Sequence, residues 1–348
     1  MIQPSTPLLE VDDLHVQFQT YSGAVHAVRG VSFSIHRGEK IAIVGESGCG
    51  KSVTAYSIMG LLPRPPAETP RGSIRLSGKE LLNQTEANWR KLRGRHIGMV
   101  FQDPMTSLNP TMRIGEQIIE GIRQHEQLSK ADAKQRVLEL LASVGIPHPK
   151  QRMNQYPHEF SGGMRQRVII AIALACRPGL LIADEPTTAL DVTIQDQILQ
   201  LLRDLNTQQD TSLLLITHDL GIVAGLCDRV LIMYAGQIME SGTVDEIFSN
   251  PQHPYTKALL QAVPRLGMSR SKPLQPIHGS PPNLRQPPRG CPFAARCPYA
   301  MQVCTKHCPP LQTVEGHSSK SACWLHHEQA KEPLSKFRAS NQELFNHA

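Results

Sequence analysis

The sequence predicts an α/β fold in which a large domain carries an inserted helical subdomain and is followed by a small cysteine-rich region. Three observations support this prediction. Strand-like apolar runs alternate with helical patterns across residues 1–262, prolines crowd directly after them, and cysteines crowd after the prolines. A chain of 348 residues with 40% hydrophobic composition has enough apolar side chains for one large core and a smaller appendage.

The large domain is predicted to contain a mainly parallel sheet. Apolar runs at Lys40–Val44, Leu180–Ala183 and Leu213–Thr217 are separated by helical patterns, which is the order that parallel strands joined by helices require. Between residues 103 and 176 the strand signals fade and helical periodicity takes over, as in Lys130–Val144. We therefore expect a helical subdomain inserted between two strands of the sheet.

Residues 263–330 are predicted to hold a linker and the cysteine-rich region. Eight prolines between Pro264 and Pro292 exclude a helix or a central strand and indicate an extended linker. The polar residues 331–348 are expected to form a loose tail.

The charge pattern and the apolar runs exclude some function classes. Lys and Arg total 36 against 30 for Asp and Glu, and a net charge of +6 is too thinly spread to indicate a nucleic-acid-binding protein. The first 13 residues lack the basic start and apolar stretch of a signal peptide, so we expect a cytoplasmic protein. The apolar run Val168–Cys176 is too short for a membrane span, which needs about 20 residues. Membrane contact is expected to go through a partner.

A glycine-rich segment between the strand Lys40–Val44 and a helical run fits the P-loop pattern. It consists of Gly45, Glu46, Ser47, Gly48, Cys49, Gly50, Lys51 and Ser52. Glycines allow consecutive backbone N–H groups to surround phosphate oxygens at a helix N-terminus. Lys51 is expected to reach the β and γ phosphates of ATP, and Ser52 to bind Mg²⁺. A chance glycine-rich turn is the alternative, and the strand and helix on either side disfavour it.

Two carboxylates follow the strand Leu180–Ala183. In a P-loop protein, acids at a strand end indicate that Asp184 binds Mg²⁺ and that Glu185 polarises the attacking water. A solvated acidic turn is the alternative interpretation.

Ser161, Gly162 and Gly163, between Phe160 and Met164, resemble the signature motif of ABC ATPases. Taken locally, the segment is a helix start capped by Ser161. In ABC ATPases this helix end contacts the γ phosphate held by the other subunit. The resemblance therefore implies a P-loop NTPase core that is inert as a lone monomer, because ATP is sandwiched between two chains.

The remaining ABC elements occur in the expected order. Gln102 resembles the Q-loop glutamine, which contacts Mg²⁺, and Asp191, after Ala189 and Leu190, resembles the D-loop. His218 resembles the switch histidine that contacts the γ phosphate, although a lone histidine after an apolar strand is more often structural. Family resemblance also implies an aromatic side chain stacked on adenine, for which Tyr21 is the candidate.

Further segments are similar to the peptide and nickel importer branch of ABC transporters, namely residues 101–110, 156–160, 253–255 and 290–323. The resemblance implies an ATPase subunit at the cytoplasmic face of the membrane that powers import of di- or oligopeptides. Its implied partners are a second homologous ATPase, two transmembrane permease subunits and an extracytoplasmic peptide-binding protein. A nickel or other small-solute importer and an ATP-regulated redox or metal sensor are alternatives. A soluble ABC protein of translation or DNA repair would carry two cassettes or a long coiled coil, which this sequence does not show.

Four clustered cysteines form a candidate metal site. Cys291, Cys297, Cys304 and Cys323 are separated by five, six and 18 residues, a spacing that does not choose a metal. Four thiolates suit zinc or an iron–sulfur cluster. The family resemblance implies a [4Fe–4S] cluster, with Zn²⁺ and unliganded thiols as alternatives. Cys308 is a fifth thiol outside the family pattern, either free or replacing a neighbour.

Overall fold

The structure is a computed structural model that describes residues 6–188, 190–263, 276–331 and 333–337. Ala189, the linker residues 264–275 and residues 338–348 of the predicted tail lie outside the described residues. The described part of that tail is not loose as predicted, because residues 333–337 are helical and Phe337 is fully buried against Cys323 and Leu325. None of the helices in the described ranges combines the length and the apolar character that crossing a bilayer requires.

The described strands and helices alternate along most of the chain. The strands are β1 Leu9–Thr20, β2 Gly23–Ile35, β3 Lys40–Val44, β4 Ala67–Leu76, β5 Lys79–Glu80, β6 Ile97–Val100, β7 Leu180–Asp184, β8 Ser212–Thr217, β9 Arg229–Tyr234, β10 Gln237–Thr243, β11 Gln312–Thr313 and β12 Lys320–Ser321. The helices are α1 Lys51–Ile58, α2 Glu86–Leu92, α3 Pro104–Ser107, α4 Ile114–His125, α5 Lys130–Ser143, α6 Pro149–Arg152, α7 Gly162–Leu174, α8 Val192–Gln209, α9 Leu220–Leu226, α10 Val244–Ser249, α11 Pro254–Ala262 and α12 Gln302–Lys306.

The main sheet has the strand order β11-β12-β10-β9-β3-β8-β7-β6. Strands β9, β3, β8, β7 and β6 are parallel, and the three strands at the other edge pair antiparallel. The central strands β7 and β8 are apolar along nearly their whole length because both faces of a parallel sheet are covered. The three strands predicted from apolar runs are therefore confirmed, with β7 and β8 each one residue longer than predicted.

A second, antiparallel sheet covers one face of the main sheet. Its order is β2-β1-β4-β5. On β3, Ile41 and Ile43 pack in the core beneath this sheet, whereas Ala42 and Val44 pack in the core on the helical side. The sequence analysis did not predict this second sheet. Register shifts in β1, for example between Val11 and Leu14, break the simple alternation of apolar and polar residues that would have indicated it.

Helices occupy the whole stretch between β6 and β7, and residues 101–179, all of which the structure describes, contain no strand. Helix α5 agrees with the predicted Lys130–Val144 to within one residue. It begins where Ser129 Oγ accepts a hydrogen bond from the Asp132 N–H at 3.1 Å. Its buried face repeats at helical spacing, as at Ala133, Val137 and Leu140. These helices bury their apolar faces against the same core as the main sheet.

The cysteine-rich region docks on the main sheet. Strand β12 pairs with β10, with Ser321 opposite Glu240, and so extends the sheet at its edge. Phe293 and Cys304 are buried in the same core cluster as the parallel strands. The described part of the proline-rich segment, residues 276–292, contains no helix or strand. The C-terminal region therefore shares the core of the large domain.

Candidate active site

The P-loop connects β3 to α1 and lies at the carboxyl end of the parallel strands. Two of its glycines have no room for a side chain. A Cβ on Gly45 would lie 2.0 Å from the carbonyl oxygen of Met233, and one on Gly50 would lie 2.4 Å from that of Ala27. Gly50 also has a φ of 104°, which favours glycine. The loop is therefore held against β9 and β2 in one close-packed path.

Lys51 is folded back onto the P-loop. Its side chain is buried, and Nζ donates to the carbonyl oxygens of Gly45 at 2.8 Å and of Glu46 at 3.1 Å. Helix α1 begins at Lys51, so the free N–H groups of its first turn lie beside this ammonium group. A cation and a helix N-terminus at one loop form a site for a phosphate chain.

Ser52 and Asp184 form a site that fits a divalent cation. Ser52 Oγ donates to Asp184 Oδ1 at 3.0 Å. Asp184 is fully buried, and its Oδ2 has no hydrogen-bond partner within the part of the chain that the structure describes. Burial raises the pKa of Asp184, and the neighbouring Glu185 raises it further. Hard oxygen ligands with an unsatisfied carboxylate suit Mg²⁺.

Glu185 brings together the three residues predicted to be catalytic. Its Oε2 accepts hydrogen bonds from Gln102 Nε2 at 3.2 Å and from Thr188 Oγ1 at 2.9 Å. Its Oε1 lies 3.2 Å from His218 Nδ1. Glu185 has a φ of 47°, a region that non-glycine residues seldom adopt. A strained backbone at the end of β7 therefore aims this carboxylate at the ends of β6 and β8.

The signature residues begin a different helix. Ser161 Oγ accepts from the Met164 N–H at 3.4 Å at the start of α7. A Cβ on Gly163 would lie 2.5 Å from Ile194 of α8, so this position also has room only for glycine. Asp191 caps α8, accepting from the Ile194 N–H at 3.0 Å. The signature and the D-loop residues are therefore packed together at the starts of two adjacent helices.

Comparison with known proteins agrees with this geometry. The sequence matches the ABC transporter family over residues 28–188. It is 56% identical to the oligopeptide transport ATP-binding protein OppD of Bacillus subtilis over 344 residues, which is 98% of this chain and 96% of that protein. It is 55% identical to the dipeptide transport ATP-binding protein DppD of the same organism, over 93% of this chain and 96% of the relative. The chain belongs to the ABC transporter family.

Other matches extend this assignment to the C-terminal region and to the fold. Residues 239–304 match the C-terminal region of oligopeptide/dipeptide transporters. This match starts inside β10, which agrees with the docking of the cysteine-rich region on that strand. The fold is similar to a dimeric ATP-binding cassette solved in a post-hydrolysis state with ADP and Pi, with a TM-score of 0.61 and 26% identity over 68% of this chain and 98% of that one. It is also similar to cbiO1 of Clostridium perfringens, part of an ABC transporter complex, with a TM-score of 0.60 and 30% identity over 70% of this chain and 91% of that one.

The predicted adenine-stacking residue lies at the tip of the first β-hairpin of this ABC ATPase. Tyr21 lies in the turn between β1 and β2 and is fully exposed. Phe18, in the same hairpin, is partly buried and pairs with Val25, two residues from the Ala27 carbonyl that borders Gly50. The hairpin therefore offers two aromatic side chains, Phe18 on β1 and Tyr21 in the turn.

The geometry does not support the predicted metal centre at Cys291, Cys297, Cys304 and Cys323. These cysteines are close enough to affect one another's charge, but in the described ranges no group of three or more Cys, His, Asp or Glu side chains is arranged to hold a metal ion. Burial, with the charge of Cys304 as a smaller cause, raises the pKa of Cys291 to about 12 and that of Cys297 to about 11. In this packing, burial therefore favours the protonated form of Cys291 and Cys297.

Sequence analysis missed a pair of residues that joins the P-loop to the cysteine-rich region. Arg296 of the cysteine-rich region forms a salt bridge with Glu46 of the P-loop at 2.8 Å. The residues are separated by 250 positions. In the sequence, Arg296 is recognisable only as an arginine between Cys291 and Cys297, and nothing local indicates that it pairs with Glu46.

Proposed function

We propose that this chain is the ATP-hydrolysing subunit of an importer that carries di- or oligopeptides across the cytoplasmic membrane. The observation that carries the proposal is the convergence of Gln102, Glu185 and His218 beside a P-loop whose Ser52 contacts Asp184. The peptide substrate is proposed because the relatives that match nearly the whole chain are named for oligopeptide and dipeptide transport.

In the proposed chemistry, the chain's own residues hold the phosphates and activate water. Lys51 Nζ exchanges its two carbonyl partners for phosphate oxygens. Ser52 and Asp184 would hold Mg²⁺, which neutralises charge on the phosphates. The Glu185 carboxylate accepts a hydrogen bond from the attacking water, and His218 contacts the γ phosphate from the adjacent strand end.

We propose that a second, homologous ATPase completes the site. Ser161, Gly162 and Asp191 are exposed at the starts of α7 and α8, and Val192 beside them exposes 81% of its surface. The exposed N-terminus of α7, with its positive dipole end, suits a phosphate that another chain presents. The partner's γ phosphate would then contact Ser161 and the two glycines, and this chain's P-loop would receive the partner's signature.

The remaining partners follow from the proposed role. Two permease subunits would sit on this chain from the membrane side, contacting the surface around Gln102 and the helices that follow it, and a peptide-binding protein would deliver the solute from outside. The chain would then work at the cytoplasmic face of the membrane. Adenine would stack on Tyr21, with Phe18 as the other aromatic side chain of the hairpin.

The [4Fe–4S] centre stays a prediction from the family resemblance, with zinc as its alternative. Anaerobic purification followed by iron, sulfide and zinc analysis tests it. Iron and sulfide bound in equal amounts would support the cluster, zinc alone would indicate a zinc site, and a folded protein that contains neither iron nor zinc would contradict a metal centre.

Uptake by the assembled importer tests the proposed function. Membrane vesicles that contain the complete complex should accumulate a labelled peptide only with ATP, and a complex carrying Lys51→Ala in this chain should lose both uptake and phosphate release. Ni²⁺ uptake in the same vesicles serves as the comparison. Peptide-independent hydrolysis with uptake of Ni²⁺ but not of any peptide would contradict the proposal.

A further inference from the structure

A side chain of the cysteine-rich region holds the acidic residue of the P-loop. Arg296 Nη1 donates to Glu46 Oε2 at 2.8 Å, and Nη2 donates to Oε1 at 3.0 Å. The Arg296 side chain is only 5% exposed and that of Glu46 only 24%. A two-pronged pair with so little solvent contact is stronger and more directional than a surface ion pair.

Every donor of the Arg296 guanidinium has an acceptor. Besides Glu46, Nη1 donates to Tyr234 Oη at 3.1 Å, Nη2 to the Ile277 carbonyl at 2.9 Å and Nε to the His278 carbonyl at 2.9 Å. These contacts use all five N–H groups, which no other side chain can replace. Burial by itself lowers the pKa of Arg296, but the hydrogen bonds to Glu46 and Tyr234 raise it above its usual value. The guanidinium is therefore fixed in place and always charged.

Glu46 itself is held at three points. Its N–H donates to Tyr255 Oη at 3.0 Å, and its carbonyl oxygen accepts from Lys51 Nζ at 3.1 Å. The third point is the carboxylate on Arg296. Tyr255 is fully buried, and its ring packs against Phe293, with 5.2 Å between the ring centres. Phe293 is three residues from Arg296, so the same short segment supports both the backbone and the side chain of Glu46.

We propose that Arg296 is a positioning residue for nucleotide binding, which neutralises Glu46 and keeps the P-loop in the path that receives phosphates. The inference rests on the proposed ATP site. The physical reason is electrostatic: without Arg296, a partly buried carboxylate would stand in the loop that must accept a polyanion, and its repulsion is poorly screened there.

The segment that carries Arg296 gives this contact a further property. Residues Ala294–Arg296 form one turn of 3-10 helix between Cys291 and Cys297. The Ala294 N–H donates to the Cys291 carbonyl and the Cys297 N–H to the Ala294 carbonyl, at 3.1 and 3.3 Å. A change in how these cysteines pack would therefore be passed to the backbone that carries Arg296. In the proposed arrangement, the cysteine-rich region would then affect ATP affinity without contacting ATP.

An arginine that only docks the C-terminal region would behave differently from one that compensates Glu46. Loss of a docking contact lowers stability, and removal of Glu46 would not repair it. Loss of charge compensation weakens ATP binding, and removal of the Glu46 carboxylate restores that binding. The two roles are therefore separated by ATP affinity in the double variant.

Binding of ATP and AMP to the full-length chain, measured by calorimetry alongside its melting temperature, tests the proposal. Arg296→Met should weaken ATP binding about tenfold while affecting AMP less, since repulsion grows with ligand charge. Arg285→Met is the matched control, because Arg285 is an exposed arginine of the same region. Adding Glu46→Gln to Arg296→Met should restore ATP affinity to within about twofold of the original.

Each outcome decides between the alternatives. Unchanged ATP affinity in a folded Arg296→Met protein would overturn the inference and leave the proposed function standing, whereas an unaltered chain that binds no ATP would remove the proposed function itself. A double variant as weak as Arg296→Met would reduce Arg296 to a docking contact. If Arg296→Met does not fold, Arg296→Gln replaces it: the amide keeps a polar group beside Glu46 but removes the charge, so ATP binding should again weaken about tenfold and Glu46→Gln should restore it, whereas unchanged ATP affinity would overturn the inference.

Discussion

The ATP site and the cysteine-rich region are built in different ways. The P-loop follows β3, and Asp184 and Glu185 lie at the end of β7, so contiguous sequence motifs become fixed points at the carboxyl ends of buried parallel strands. The cysteine-rich region has only two-residue strands and short helical turns, and it depends on β10 and the main core for its packing. A short sequence motif at the end of a buried strand therefore has its geometry set by that strand. In the cysteine-rich region, the positions of the side chains depend instead on how the region packs on β10 and the main core.

The junction between the two regions contains a buried acid. The Glu240 carboxylate accepts hydrogen bonds from the backbone N–H groups of Gln252 at 2.6 Å and His253 at 2.9 Å, and it is fully buried. Burial raises the pKa of Glu240 to about 7, because the hydrogen bonds only partly offset the loss of water. The charged residues of the proposed ATP site, Lys51 and Asp184, would be compensated by bound phosphates and Mg²⁺. The buried Glu240 carboxylate at the junction instead changes its protonation state with pH.

The largest effect is expected at the water-activating carboxylate, and it tests whether the strand ends act as one unit. Glu185→Gln should slow ATP hydrolysis by the assembled complex about 10²- to 10⁴-fold, because the amide cannot accept the proton of water. ATP binding should be retained, since Lys51, Ser52 and Asp184 are unchanged. Phosphate release and ATP affinity measured on the same preparation check both parts.

Near-normal turnover of the Glu185→Gln complex would contradict the assignment of Glu185. Thr188→Val is the control for a change in the same hydrogen-bonded group: it removes one donor to Glu185 at 2.9 Å and should cost far less than loss of the carboxylate.

A smaller loss of ATP hydrolysis is expected for a change in the signature residues, which are proposed to contact ATP bound to the second chain. Ser161→Ala should lower hydrolysis about 10²-fold, in line with loss of one donor to a phosphate in its transition state. The damage should fall on ATP bound to the partner's P-loop. Complexes in which only one of the two ATPases carries the change, analysed for which bound nucleotide is hydrolysed, locate it. Damage confined to ATP at this chain's own Lys51 would rule out the sandwich.

The smallest effect is a change in pH dependence at the junction. Since the pKa of Glu240 is raised from 4.5 to about 7, its contribution to stability is fully present below pH 4.5 and is lost as pH rises toward 7. The free energy of unfolding of the unaltered protein relative to Glu240→Gln should therefore fall with rising pH, by up to about 1.4 kcal/mol per pH unit.

The comparison with Glu240→Gln is needed because His253 acts in the opposite direction. Burial lowers the pKa of His253 to about 3, so its contribution is lost as pH falls below its usual value of 6.5. His253 is present in both proteins, so its own titration contributes to both curves and is largely removed in the difference. Denaturant titrations at several pH values measure that difference, and a difference independent of pH would show that Glu240 stays ionised in the folded protein.

The sequence by itself determined the elements whose signal is local. The P-loop, the acidic strand end, the signature and the switch histidine lie within a few residues of an apolar strand or a helix start, and the ABC family that they indicated is confirmed by comparison with relatives. The roles of these residues, the division of the chain at residue 262 and the adenine contact of Tyr21 stay predictions.

Only the tertiary structure decided what depends on contacts between distant parts of the chain. The antiparallel sheet, the docking of β12 on β10 and the pair of Arg296 with Glu46 join residues that no local pattern relates. The cysteines are the instructive case: their crowding in the sequence predicted a metal centre, but their arrangement depends on how a segment with little secondary structure packs on the core. A sequence motif predicts the arrangement of its side chains only where its backbone is fixed by neighbouring secondary structure. In this protein, strands β3 and β7 of the main sheet fix the P-loop and the acidic pair, whereas no long strand or helix fixes the cysteines.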